Sequence, residues 1–205
     1  MTGGSDSKQQ LADLVVGARG WLHEHWLASY YPDDIPDEWR LGFYANEFNT
    51  LLIPWGQWCE SVDALEEGLE DTEDDFHLYL ELPEMVQALP DHFSEIVDKV
   101  TGLVCLKGVA EDWQASATAL DTRLFAALPQ GKGLFQGFVE LASDKSMELV
   151  LIDSAAGFKD LAVMREQLEL ALAFADKRLD VIFVDKQPVL EAMRNTQMIA
   201  ELLGA

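Results

Sequence analysis

Short apolar segments recur along this chain and alternate with segments that carry apolar residues at helical spacing. Seven of the short segments predict strands, at residues 14–16, 49–53, 76–82, 103–106, 135–141, 149–152 and 181–184. Several are rich in β-branched residues and almost continuously apolar, which is typical of strands covered on both faces. Strands that alternate with helices predict parallel β-α-β units, and therefore an α/β protein with a parallel sheet.

The helical segments show apolar residues three or four positions apart. One stripe consists of Leu161, Met164, Leu168, Leu172, Ala175 and Leu179. An earlier predicted helix carries Trp113, Leu120, Leu124 and Leu128. Pro188 suits the first turn of a final helix, because its missing N–H is not needed there. The predicted buried face of that helix consists of Leu190, Met193, Ile199, Leu202 and Leu203.

Seven strands with a repeat of about 30 residues nearly fill a (β/α) barrel, which usually takes about 250 residues. With 205 residues the chain is short for that architecture. The pattern therefore predicts a TIM-barrel-like domain that is reduced or incomplete, with an open doubly wound sheet as the alternative. Residues 1–10 are polar and rich in Gly and Ser, which predicts a disordered tail before a single α/β domain at 11–205.

The charge of the chain restricts its partners. It has 37 acidic and 14 basic residues, for a formal net charge of -23. A field of that sign repels phosphate backbones and anionic membrane surfaces, so we expect no nucleic-acid or membrane partner. An acidic surface also suits a basic protein partner, which makes an acidic protein–protein interaction module one alternative function.

The opening residues lack the apolar core of a signal peptide, and the two cysteines make no disulfide framework, so the expected location is the cytoplasm.

The first third of the chain contains a characteristic order of motifs. A strand leads into Gly-Ala-Arg-Gly-Trp at 17–21, followed by Trp26, Tyr31-Pro32, Tyr44 and Phe48-Asn49-Thr50; the segment FHLYLELP then occupies 76–83. Over residues 12–85 this order resembles the family called domain of unknown function seventy-two. The resemblance implies a TIM-barrel-like fold without an established chemistry.

Three positions depart from the pattern of that family. Leu52 stands where the family has Glu, Pro54 where it has Asn, and Glu81 where it has Lys. Polar groups at the carboxyl ends of barrel strands are where such folds place their sites. The departures therefore imply an offshoot that kept the scaffold and lost or changed its site.

Several residue groups are candidates for chemistry, and each has a structural alternative. The aromatic residues Trp21, Trp26, Tyr30, Tyr31, Trp39, Tyr44, Trp55 and Trp58 can line a pocket or form core. Carboxylates predicted at strand ends can bind a cation or act in acid–base chemistry, or cap helices: Glu81, Glu140, Asp153 and Asp185. His23-Glu24-His25 lacks a third metal ligand, and Gly131-Lys132-Gly133 lacks Walker spacing.

The ends of the first three predicted strands give the most specific site hypothesis. In parallel α/β folds, ligands bind beyond the carboxyl ends of the strands. The residues at this mouth are Arg19, Trp21, Trp55, Gln57 and Glu81. One cation, one carboxylate, one amide and two aromatic faces suit a small polar ligand. We expect a small-ligand-binding or weakly catalytic domain with no cofactor or metal; the enzymatic alternative is a hydrolase-like enzyme acting on a small polar or phosphorylated substrate.

Overall fold

A closed eight-stranded β-barrel forms the centre of the protein. The computed structural model describes residues 11–60, 62–70, 72–85, 88–90, 93–107, 110–128, 135–141, 146–153 and 160–205. Its strands are β1 (Asp13–Arg19), β2 (Thr50–Ile53), β3 (His77–Glu81), β4 (Val100–Cys105), β5 (Leu124–Ala127), β6 (Phe135–Glu140), β7 (Met147–Ile152) and β8 (Arg178–Phe183). They neighbour one another in chain order, and β8 pairs with β1 to close the barrel.

Helices lie between most of the strands. The α-helices are α1 (Glu24–Leu27), α2 (Arg40–Ala45), α3 (Trp55–Trp58), α4 (Val62–Leu69), α5 (Phe93–Ile96), α6 (Gln114–Ala119), α7 (Leu161–Leu172) and α8 (Leu190–Leu203). Short 3₁₀ turns occupy Asp37–Trp39, Val97–Lys99 and Ala110–Trp113. Asp160 begins α7, because its carboxylate accepts a hydrogen bond from the Ala162 N–H at 2.8 Å.

One strand runs against the others. Strand β6 is antiparallel to both β5 and β7, whereas every other neighbouring pair is parallel. Only residues 128–134 join β5 to β6, and only residues 141–146 join β6 to β7. A parallel connection needs a dozen or more residues, so connections of this length force two antiparallel turns.

The predicted α/β class and the barrel-like sheet are confirmed. The sheet closes, so neither an incomplete barrel nor an open doubly wound sheet is formed. The prediction of a wholly parallel sheet is wrong for β6. The predicted tail at residues 1–10 lies outside the described residues.

Strand β5 corrects the helix predicted from Trp113 to Leu128. Helix α6 ends at Ala119, and Asp121 takes a left-handed conformation with a φ of 50°. The chain then turns, and Leu124 becomes the first residue of the barrel strand β5, with its side chain buried. Two smaller corrections apply elsewhere: Leu179 belongs to β8 rather than to a helix, and Leu202 is 79% exposed rather than buried.

Alternation along the strands separates two apolar cores. The core inside the barrel consists of Leu52, Tyr79, Val104, Phe125, Phe138, Leu149, Leu151 and Ile182. Their neighbours along the strands, such as Leu51, Leu80 and Leu103, belong to a larger core between the barrel and the helices. Successive residues of a strand therefore point in turn toward the helices and into the barrel.

Strand β4 comes unusually close to a side chain of β5 at Gly102. A Cβ atom at this position would lie 2.5 Å from Cε2 and 2.8 Å from Cδ2 of the Phe125 ring. The Phe125 ring is fully buried in the core inside the barrel, and protein cores are packed tightly enough that a ring cannot move aside without cost. Gly102 is therefore required by close packing.

We expect Gly102→Ala to lower the free energy of unfolding by about 1–3 kcal/mol, as overpacking typically does. Chemical denaturation followed by circular dichroism measures the change. Gly56→Ala is the matched control, because a Cβ there meets nothing within 4 Å. Equal effects at the two glycines would contradict the packing explanation.

Two further expectations concern the membrane and the cysteines. No helix in the described part of the chain is long and apolar enough to cross a membrane. Cys59 and Cys105 carry free thiols. Burial raises the pKa of both thiols, which makes them less reactive than an exposed cysteine.

Candidate ligand site at the carboxyl ends of the first three strands

The carboxyl ends of β1, β2 and β3 lie side by side at one end of the barrel. Arg19, the last residue of β1, is in register with Leu52 of β2, which is in register with Tyr79 of β3. Leu52 and Tyr79 belong to the core inside the barrel. Arg19 therefore lies on the inner side of the barrel wall, and Glu81 follows Tyr79 by two residues on the same side.

An ion pair between Arg19 and Glu81 crosses this mouth. The Arg19 Nε donates to Glu81 Oε2 at 2.7 Å, and the Arg19 Nη2 lies 2.6 Å from the same oxygen. The Glu81 side chain is 15% exposed and the Arg19 side chain 34% exposed. The predicted cation and carboxylate are thus in direct contact, and both reach solvent.

Gly20 follows Arg19 and lies close to the side-chain amide of Gln57. Its φ of 84° is in the left-handed region that favours glycine, and its N–H donates to the Leu52 carbonyl at 2.8 Å. A Cβ on Gly20 would lie 3.5 Å from Oε1 of Gln57. The exposed Gln57 side chain therefore lies against the residue that follows Arg19.

The two predicted tryptophans of the mouth, Trp21 and Trp55, are partly buried. The Trp55 ring makes an edge-to-face contact with Trp58 at a centroid distance of 4.7 Å. Trp58 is buried, and its Nε1 donates to the backbone carbonyl of Glu81 at 2.9 Å. Trp58, which the sequence predicted with Trp21 and Trp55 to be well placed after a strand, thus fixes both Trp55 and the backbone of Glu81.

Most of the other aromatic candidates are core rather than pocket lining. Trp26, Tyr31 and Tyr44 are buried, whereas Trp39 is 62% exposed. The Tyr44 hydroxyl accepts from the Ala18 N–H and donates to the Thr50 carbonyl, both at 2.8 Å. It therefore links β1 to β2 beneath the mouth, and burial raises its pKa well above the ordinary value.

His23 is a further polar group near the mouth. Its Nε2 lies 3.1 Å from the Gly20 carbonyl, and its ring makes an edge-to-face contact with Trp26. Burial, together with the neighbouring His25, lowers the pKa of His23 below 6.5. The side chain is therefore held neutral on folding, whereas the unfolded chain binds a proton more readily.

This pKa shift predicts a loss of stability in acid. The contribution of neutral His23 is complete above the unfolded pKa of 6.5 and is lost as the pH falls through the lower folded pKa. We expect the difference in unfolding free energy between the wild type and His23→Gln to shrink from pH of about 8 to pH of about 5. Denaturant titrations across that range measure it, and a difference that stays constant or grows would contradict the prediction.

The remaining carboxylate candidates lie at both ends of the barrel. Because β6 runs antiparallel to its neighbours, Glu140 lies at the amino-terminal end of the barrel, where its carboxylate accepts a hydrogen bond from Arg123 Nε at 2.8 Å; it therefore does not share the end of the barrel at which Glu81 lies. Asp153 and Asp185 follow β7 and β8. No group of three or more potential metal ligands occurs among the described residues, and Gly131-Lys132-Gly133 lies outside them.

Sequence reasoning missed a polar cluster at the amino-terminal end of the barrel. Asp180 is 1% exposed and accepts hydrogen bonds from Tyr79 Oη, from His77 Nδ1 at 2.7 Å and from Arg178 Nε at 2.9 Å. Burial and the Asp180 carboxylate raise the pKa of Tyr79 well above its ordinary value. The available signal was a carboxylate in the middle of the otherwise apolar strand Leu179–Phe183.

The chain matches no protein-family model, no curated protein and no solved structure. The resemblance of its first third to the domain-of-unknown-function family therefore remains a prediction. The geometry of the barrel is therefore the basis for a proposal about the function of this chain.

Proposed function

We propose that the protein binds a small, uncharged polar ligand at the mouth formed by β1, β2 and β3. The observation that carries this proposal is the Arg19–Glu81 ion pair, which places a fixed donor and a fixed acceptor side by side. Gln57 adds an amide that both donates and accepts. Trp21 and Trp55 add flat apolar faces.

Charge supports a neutral ligand over a phosphorylated one. Glu81 already balances the guanidinium of Arg19, so little positive charge is left to attract an anion. The net charge of -23 adds a repulsive field around the whole molecule. A polyhydroxylated ligand satisfies both members of the ion pair and stacks on an aromatic face without carrying charge into that field.

We also propose that the scaffold is a shortened relative of the domain-of-unknown-function-seventy-two barrels. The closed, mostly parallel eight-stranded barrel and the motif order of residues 12–85 support this relationship. The position at which the family has Lys is Glu81, which here pairs with Arg19. A carboxylate in place of an ammonium reverses the local charge, so we expect a different ligand preference.

Isothermal titration calorimetry with glucose, myo-inositol and glucose 6-phosphate tests the proposal. We expect a neutral polyol to bind more tightly than the phosphate ester. Replacing both Arg19 and Glu81 with Ala should raise the Kd of that polyol at least tenfold, because hydrogen bonds to charged groups contribute about 1.5–3 kcal/mol.

The matched control replaces Arg165 and Glu169 with Ala. This pair also forms a 2.8 Å ion pair, but it lies on the exposed surface of α7. It should leave the Kd unchanged. Binding of glucose 6-phosphate alone, or a polyol affinity unaffected by loss of Arg19 and Glu81, would refute the proposed site.

A further inference from the structure

A cavity of about 370 Å³ opens at the amino-terminal end of the barrel, opposite the mouth described above. It lies between the segment that leads into β3 and the segment that leads into β4. Its polar lining includes Thr72, Glu73, Asp74, His77, Asp98 and Lys99. The cavity therefore combines an imidazole, an ammonium and several carboxylates.

His77 is held in one orientation and one tautomer. Its Nδ1 lies 2.7 Å from Oδ2 of Asp180, which is 1% exposed. The Asp180 carboxylate also accepts from Tyr79 and Arg178, and a carboxylate in this role only accepts. The Nδ1 of His77 therefore carries the hydrogen and donates the hydrogen bond to Asp180.

The other ring nitrogen is available to the cavity. With Nδ1 donating to Asp180, Nε2 is the ring nitrogen of His77 that can accept a proton. Within the described part of the chain, the one hydrogen bond of this ring is that from Nδ1. A histidine that is oriented by a buried carboxylate and lines a cavity has the arrangement required of a general base.

The charges of the lining indicate which ligands would enter. The lining contains the carboxylates of Glu73, Asp74 and Asp98 and the ammonium of Lys99. This excess of carboxylates, within a chain of net charge -23, attracts positively charged molecules. Lys99 is the cation on the cavity wall that can stabilise a negative charge formed during a reaction.

We propose that this cavity is a second site, in which His77 acts as a general base in the hydrolysis of small carboxylic esters that carry a positive charge. His77 Nε2 takes a proton from a water molecule while the water oxygen forms a bond to the ester carbonyl carbon. The carbonyl oxygen becomes an oxyanion, for which Lys99 supplies the counter-charge. The carbon–oxygen bond to the alcohol then breaks, and the imidazolium returns its proton to the leaving alkoxide. Water and ester thus give acid and alcohol, and Asp180 acts as a positioning residue.

The test follows 4-nitrophenolate release from three esters: 4-nitrophenyl glycinate, which is cationic, 4-nitrophenyl acetate, which is neutral, and mono-4-nitrophenyl succinate, which is anionic. We expect the protein to hydrolyse the glycinate at least tenfold faster than an equal concentration of imidazole does. Relative to imidazole, the order should be cationic, then neutral, then anionic. His77→Gln should remove the excess rate, and His25→Gln, the same change at the other end of the barrel, should leave it intact.

Two further variants separate catalysis from folding. Lys99→Gln changes an exposed residue and should lower the rate on a folded protein. Asp180→Asn should lower kcat, and it should shift the pH profile because an amide no longer fixes the His77 tautomer; ¹⁵N shifts of the ring report that tautomer. A wild-type rate no higher than that of imidazole, or full activity in a folded His77→Gln variant, would overturn the proposal. Either result would leave polyol binding at the opposite mouth unaffected.

Discussion

Replacing Asp180 with Ala should lower the free energy of unfolding by about 3–5 kcal/mol, the range for breaking a buried charged network. The substitution removes the acceptor shared by His77, Tyr79 and Arg178. It also leaves the Arg178 guanidinium, which is mostly buried, without its counter-ion. The Tyr79 hydroxyl then remains buried without a partner, which costs more than the loss of its hydrogen bond alone.

Urea denaturation followed by circular dichroism and tryptophan fluorescence measures this effect. The control is Asp176→Ala, because Asp176 is exposed in the loop before β8. Surface changes of that kind are usually within about 0.5 kcal/mol. If the two variants were equally stable, Asp180 would not be the centre of a network that holds β3 and β8 together.

Trp26→Ala should have an effect of similar size, about 3–5 kcal/mol, as expected for truncation of a fully buried tryptophan. Trp26 has no exposed surface, and its ring contacts His23, Tyr30 and Tyr44. Its Nε1 donates to the Pro188 carbonyl at 3.1 Å. The substitution therefore creates a cavity and also detaches α1 from the loop that precedes α8.

Trp39→Ala is the same change at a residue that is 62% exposed. We expect it to alter stability by no more than about 0.5 kcal/mol. Thermal unfolding of the two variants under identical conditions makes the comparison. A Trp39 variant as unstable as the Trp26 variant would show that burial does not explain the effect.

Local patterns were sufficient to predict most strands but not their directions. All seven predicted runs overlap strands of the barrel. The gap between the runs at 135–141 and 149–152 is too short for a crossover helix, and this gap was the sequence signal for an antiparallel turn. Strand β5 escaped prediction because Leu120, Leu124 and Leu128 have the four-residue spacing of a helix.

The two ends of the barrel differ in how far sequence could predict them. Arg19 and Glu81 follow from the rule that ligand sites lie at the carboxyl ends of parallel strands, and the structure brings them together. The Asp180 cluster depends on contacts across the barrel between β8 and β3, which are not neighbouring strands. Such contacts are created by closure of the sheet, and no local pattern encodes them.

The most direct test of the account is to locate the bound polyol by nuclear magnetic resonance. Titration of the ¹⁵N-labelled protein with the tightest-binding neutral polyol should shift the Arg19 Nε–H signal and the indole N–H signals of Trp21 and Trp55. The indole signals of Trp39, which is exposed, and of Trp113, which is buried, should not move. Saturable shifts confined to Arg19, Trp21 and Trp55 would support the site, whereas unchanged Arg19 and Trp21 signals at saturation would contradict it.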